Sequence, residues 1–310
     1  KDGVPSMAQF VGAKIAASAK ESSMAITRVD AAIASAKKGG PASLSTESVT
    51  ITPRMALKWL EANTINRPIS SVTIAAYARD MAMGRWRFSN DAICFDVDGN
   101  LLNGQHRLHA CVVGDKPFRS LVIRNLPRES QETMDQGRPR RMPDILHLRG
   151  HKSTVALSGA ARKLINLKLP PEVRGLRVTS SEIIDIIERH KLLVDSVAFC
   201  ANDKLRPRGM PLSMLIALHY VGKHILKETE KADAFANVFK TGIPSYAGDP
   251  AHRFREKVLS RMRINTVMTP TSIFYSSVRA WNAFRAGESI TKFQPPRSPV
   301  WVDGLDPDLI

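Results

Sequence analysis

At 310 residues and 43% hydrophobic content the chain is long enough for two domains, or for one domain with extensions, and can build an ordinary globular core. Its 45 Lys and Arg against 29 Asp and Glu give a formal net charge of +16, a field that favours nucleic acid, nucleotides or anionic surfaces as partners and also fits a basic protein with no polyanion partner. No run approaches the ~18 apolar residues of a membrane span, no signal-peptide core is visible, Cys94, Cys111 and Cys200 form no CxxC pair, and no HExxH occurs, so the expectations are a cytoplasmic protein with reduced thiols, no membrane association and no zinc hydrolase chemistry.

Residues 1–44 are rich in Ala, Ser and Lys and read as an extension, with helix-forming composition from Ala8 to Lys37. From Ser48 the pattern is mixed. Val49–Thr52 is β-branched and alternating, and Pro53 opens a helix through Leu60 with Thr52 as its cap. Ser70 or Ser71 caps a second helix, Val72–Met83, stopped by Gly84. Ala92–Val97 reads as a strand, Asp98–Gly99–Asn100 as a tight hairpin and Leu101–Leu102 as its return strand. Helical spacing follows from Arg107 to Val113, ending at Gly114, and Phe118–Ile123 reads as the last strand. Beyond Glu129 the chain reads as mostly helical. Thr179–Glu182 is a capping box, and helices are expected over Met210–Leu226, Lys231–Phe239 and Ser272–Phe284. The tail from Phe293 reads as irregular. The expected fold is α+β: a small mixed-sheet module over 45–128, an α-helical domain over 129–290, and an irregular tail over 291–310.

Within this frame Phe95–Leu108, FDVDGNLLNGQHRL, has the wrong composition for a core. A strand that ends in Gly and opens a helix aims backbone N–H groups and the positive end of the helix dipole at one point, which suits an anion. Gly104 lets backbone approach a ligand closely, and Arg107 can hold a phosphate through two parallel hydrogen bonds. His106 can donate to phosphate or move a proton near neutral pH, while Asn103 and Gln105 can supply neutral hydrogen bonds. No Walker A loop occurs. The plainer reading is a helix start whose Gln and His bond a neighbouring loop and whose Arg is solvated.

The order of strand, hairpin, strand, Gly104–Gln105–His106–Arg107, helix and strand resembles the ParB/sulfiredoxin superfamily. Residues 85–146 resemble a phage and plasmid group of ParB N-terminal-domain-like proteins. The resemblance is carried by Trp86–Arg87–Phe88–Ser89–Asn90, by the GQHRL core and by the box Asp135–Leu146. It implies the mixed-sheet fold and the handling of a nucleoside triphosphate, ATP or CTP, with or without Mg²⁺. Gly104, His106 and Arg107 would then meet the phosphates. Gln105 stands where sulfiredoxins place their catalytic Cys, which excludes sulfinic-acid repair. Asn103 replaces a frequent Asp, and Leu108 stands where the ParB form has a second Arg.

Phosphoryl transfer also needs a nucleophile and usually a base. His106, Asp96 and Asp98 are the catalytic candidates, although an Asx role in the turn would explain Asp98. Asp96 faces either the site or solvent. Asn103, Gly104, Gln105, His106, Arg107, Asp135, Arg138 and Arg141 are the candidate phosphate-binding residues, with the Asp135–Asp144 box forming a wall of the same cleft and Asp144 capping a helix. Arg140, Lys204, Arg206 and Arg208 are candidate DNA contacts. Arg253–Arg263 is either a DNA-contacting helix or the solvated face of an ordinary one, and Asp144–Ile165 could hold a helix-turn-helix-like pair. Two functions stay open, with an oligomer compatible with either. One is an NTP-dependent phosphotransferase or NTPase acting on or with DNA. The other is a DNA-binding partition-like or regulatory protein in which nucleotide is a switch or is absent. A nuclease finds no supporting carboxylate cluster.

Overall fold

The computed structural model describes residues 43–64, 66–134, 140–171, 177–201, 207–266 and 268–310. The expected N-terminal helix, Asp135, Arg138, Lys204 and Arg206 lie outside them. The fold is α+β, a mixed four-stranded sheet with helices followed by an all-helical region. By its contacts the chain forms two compact units. One holds the described residues to Ile69 and those from Arg87 to Met134; the other holds Ser70–Trp86 and the described residues from Arg140 to Ile310.

In the first unit, β1 (Ser45–Ile51) leads into α1 (Pro53–Leu60), whose Thr52 hydroxyl accepts the Met55 N–H at 3.3 Å. Strands β2 (Ile93–Asp96) and β3 (Leu101–Asn103) form the hairpin, α3 (Gln105–Gly114) crosses over, and β4 (Phe118–Leu126) returns; α2 lies in the other unit. The strand order is β1-β4-β2-β3, with β2 parallel to β4 and the other pairings antiparallel. Alternation follows the pleat: Phe118, Ser120 and Val122 are buried while Arg119 is exposed. Helices α1 and α3 pack together, and Ile51, Ala56, Ile93, Leu101, Leu108 and Val122 are fully buried. A short turn of helix, α4 (Ser130–Thr133), follows. Strand β4 runs three residues past the expected Ile123, to Leu126.

In the second unit, α2 (Ser71–Ala82) is capped by the Ser70 hydroxyl and followed by Gly84 at φ +66°. Its partners explain why it sits with the helices. Arg79 pairs with Glu182 at 3.2 Å, and Asp80 accepts from the Thr179 hydroxyl at 3.0 Å and from Arg85 at 3.2 Å. Burial raises the Asp80 pKa against those bonds. The next helices are α5 (Met142–Leu148), α6 (Thr154–Lys168), α7 (Ser180–Arg189), α8 (Leu193–Cys200) and α9 (Leu212–Tyr220). Helix α9 continues into a π-turn, Val221–Ile225. The unit ends with α10 (Thr229–Thr241), α11 (Pro250–Arg263) and α12 (Pro270–Arg285). The capping box expected at Thr179–Glu182 forms in full. Asp144 caps α5 as expected, from the third helical position: its carboxylate reaches back to accept the Arg141 N–H at 2.9 Å.

Phe235, Phe239, Phe254 and Trp281 are fully buried at the centre. A Cβ on Gly222, in the π-turn, would lie 2.6 Å from the Trp281 ring, so only glycine lets the indole pack there. The tail is irregular apart from the 3₁₀ turn Pro307–Leu309, yet Phe293, Val302 and Ile310 are buried in the same core. Among the described residues no helix is long and apolar enough to cross a membrane.

Candidate functional site

Helix α3 starts at Gln105, two residues before the apolar spacing begins, because Gly104 supplies the helix boundary. Gly104 sits at φ +111°, a left-handed conformation that side chains resist, and its carbonyl accepts from Arg107 N at 3.0 Å and Leu108 N at 3.1 Å. A Cβ there would fall 2.3 Å from Ile93 Cδ1. The turn therefore packs directly on the start of β2. No side chain caps this helix start. Its first-turn amides and dipole thus form a small positive end on the sheet module.

Two of the polar residues are structural anchors. Gln105 is 4% exposed; its carbonyl oxygen accepts from Asn63 at 3.1 Å and its NH₂ donates to the Arg67 carbonyl at 2.8 Å. That ties the helix start to the segment after α1, as the plainer sequence reading has it. Arg107 donates to the carbonyls of Asp91 and Ala92, the latter at 2.8 Å, and so fastens α3 to the entry of β2. His106 lies between them in the first turn, half-buried. Asn103 closes β3 opposite Cys94.

The carboxylates are elsewhere. Asp96 is 1% exposed and accepts from the backbone N–H of Asp98 at 2.9 Å, the backbone N–H of Asn100 at 2.7 Å and the Asn100 side chain at 3.0 Å. Burial alone would raise its pKa; the Asn100 and Asp98 hydrogen bonds and the Arg128 charge outweigh that and hold it below the usual carboxylate value. Asp96 therefore organises the hairpin, the role expected of Asp98, and it faces neither open solvent nor the Gly104 turn. Asp98 is exposed. Register sets the separation: Asn103 pairs with Cys94 and Gly104 meets Ile93, whereas Asp96 and the hairpin occupy the other end of β2. At ~3.3 Å per residue that is about 10 Å along the strand. The structure brings Asn103, Gly104, Gln105, His106 and Arg107 together and leaves Asp96 and Asp98 apart from them.

Asn63, Asn66 and Gln131 were not singled out by the sequence. Asn66 donates to the Leu101 carbonyl at 2.6 Å and Gln131 to the Leu102 carbonyl at 3.1 Å, so side-chain amides cover the edge strand β3. Gln131 also donates to the Asn66 side chain, and Asn66 to that of Asn63. The network thus runs on to Gln105. Nothing in local periodicity marks such partners.

Of the remaining candidates, Arg140, Arg141 and Arg208 are exposed. Helices α5 and α6 pack together through the turn at Gly150, the pairing the sequence allows over Asp144–Ile165. The cysteines are buried and form no disulfide with one another; burial pushes the Cys111 thiol up to about 11 and the Cys200 thiol up to about 12, which keeps both protonated. Among the described residues no group of three His, Cys, Asp or Glu side chains could hold a metal ion. Comparison with protein-family models, with curated proteins and with solved structures finds no match to this chain.

Proposed function

We propose that the sheet module is a ParB/sulfiredoxin-like nucleotide-binding module that takes the phosphates of ATP or CTP at the Asn103–Arg107 turn, and that the protein works with DNA. The observation that carries this is the Gly104 helix start: a left-handed glycine, no side-chain cap, and flanking residues that brace the turn. An anion there meets backbone amides and the helix dipole. Gln105 and Arg107 are engaged by carbonyls and an amide of the chain, so the first-turn amides would meet phosphate, with His106 beside them in the same turn. The residues fit a polyphosphate better than a free metal, so any Mg²⁺ would arrive with the nucleotide. The +16 charge supports a DNA partner.

The position of Asp96 favours binding over carboxylate-driven chemistry, so nucleotide as a regulatory ligand is the stronger reading. NTP hydrolysis or phosphoryl transfer remains as the second reading on one observation, His106 in the first turn, where it could hand a proton to or from a phosphate. Calorimetric titration of ATP and CTP, with and without Mg²⁺ and DNA, tests the proposal. Binding that weakens in His106→Asp, which puts negative charge at the helix start, is expected. Equal binding by that variant, or no binding by the wild type, overturns it. Turnover abolished in His106→Ala with binding retained selects the enzyme.

A further inference from the structure

Helix α11, PAHRFREKVLSRMR, carries six side chains of Arg, Lys or His and one carboxylate. Its inner face is settled, with Ala251, Phe254 and Val258 buried in the helical core. Arg255 is settled too. Its side chain is 14% exposed, it pairs with Glu256 at 2.6 Å, and it packs against the left-handed glycines Gly209 and Gly242. That removes one cation from the outer surface and engages the helix's only carboxylate, whose side chain stays 45% exposed.

The remaining basic residues fall into a pattern. Arg253, Lys257 and Arg261 recur every four residues, so they form one stripe with steps of about 6 Å along the axis. Exposed Ser260 lies beside the stripe and exposed Arg263 follows it. Among the described residues no carboxylate forms an ion pair with Arg253, Lys257 or Arg261. Cations elsewhere in the unit, among them Arg79, Arg149 and Arg285, have such partners.

We infer that the Arg253–Lys257–Arg261 stripe is the surface on which the phosphate backbone of a DNA duplex docks. The inference rests on the DNA half of the proposed function and gives it an address. A row of uncompensated cations suits a row of phosphates, because each contact releases condensed counterions. An anionic bilayer fits less well: a helix that binds one inserts its apolar face, and here most of that face is spent on Phe254 and Val258 in the core, with Met262 left exposed. Contacts of this kind carry no sequence information, so binding is independent of sequence.

The test is fluorescence anisotropy with a labelled random-sequence duplex over a salt series, using the full chain. The triple variant Arg253→Gln/Lys257→Gln/Arg261→Gln is compared with a control triple, Lys191→Gln/Lys227→Gln/Lys292→Gln, which removes equal charge from exposed sites of the same unit. The stripe triple should weaken binding roughly tenfold or more and lower the slope of log affinity against log salt by about 2.7, while the control changes little. If the stripe triple binds like the wild type, the surface is wrong and the DNA reading stands. If the wild type binds no duplex even at ~50 mM salt, the surface and the DNA reading both fail, and nucleotide binding is judged separately. Loss of phosphatidylserine-vesicle binding in the stripe triple, with duplex binding intact, also overturns it. Should the triple misfold, Lys257→Gln should lower the slope by about 0.9 and Lys257→Arg should not; equal slopes for the two contradict the inference.

Discussion

Gly104 and Ile93 fit together only because position 104 has no side chain: a Cβ would stand 2.3 Å from Ile93 Cδ1, on a backbone at φ +111°. Two costs are therefore joined at this residue, left-handed strain and overpacking, and they separate by mutation. Gly104→Ala should destabilise the sheet unit by about 2–4 kcal/mol. Adding Ile93→Val, which removes the clashing methyl, should recover the packing part and leave the strain. Urea unfolding of the single and double variants measures both; an additive double variant would mean that the two residues do not meet.

Asp96 holds the hairpin through three hydrogen bonds, and its carboxyl is kept below the ordinary pKa. An acid lowered in this way stabilises the fold above its unfolded pKa of ~3.9, and that stability is lost as pH falls through the folded value. Asp96→Ala should cost about 1–3 kcal/mol at neutral pH and flatten the acid limb of the stability curve. Asp98→Ala, at an exposed position, should do neither. Unfolding followed from about pH 6 to pH 3 distinguishes them, and equal effects would contradict the assignment of the turn to Asp96.

Gln105 should behave as a brace. Gln105→Ala leaves the Asn63 amide and the Arg67 carbonyl without their partner, a loss of about 1–3 kcal/mol. Gln105→Glu can keep the bond from Asn63 but cannot donate to Arg67, so it should also destabilise near neutral pH. Thermal melts of the two variants check this. An unchanged midpoint in both would make the buried amide dispensable.

The helical unit carries a pH dependence of its own. His219 is fully buried, with Nδ1 2.9 Å from the Ser196 hydroxyl and Nε2 2.8 Å from Asp233, which also pairs with Lys223. Burial, the dominant influence, lowers its pKa against the opposing Asp233 bond, and burial lowers His190 and His224 as well. Such histidines stay neutral in the fold while the unfolded chain takes up protons below ~6.5, so stability present above that pH is lost on acidification. The melting temperature should fall between about pH 7.5 and pH 5.5. His219→Gln should remove part of that slope and leave the share of His190 and His224. A flat or rising profile in the wild type would contradict the arrangement.

The elements themselves were legible because their signals are local. Thr52, Ser70 and the Thr179–Glu182 box announce helix starts within three or four residues, and β-branched alternation marks β1. What side chains hold across the chain was not legible. Gln105 and Arg107 look like ligand groups in sequence because their partners, the Arg67 and Ala92 carbonyls, carry no side-chain signature. Asp96 and Asp98 lie within ten residues of the turn, yet strand register sends them to the opposite end of β2. Helix α2 sits within a mixed α/β stretch of sequence, but Arg79 and Asp80 find their partners about a hundred residues on, at Glu182 and Thr179.

Amide hydrogen exchange across residues 96–112, with and without saturating ATP or CTP and Mg²⁺, tests nucleotide binding at the Gly104 turn most directly. Phosphate at the helix start should slow exchange of the first-turn amides of α3 and leave the hairpin amides of Asp98 and Asn100, at the far end of β2, unchanged. Protection at the hairpin with none at the turn, or no change under conditions where calorimetry reports binding, would contradict it.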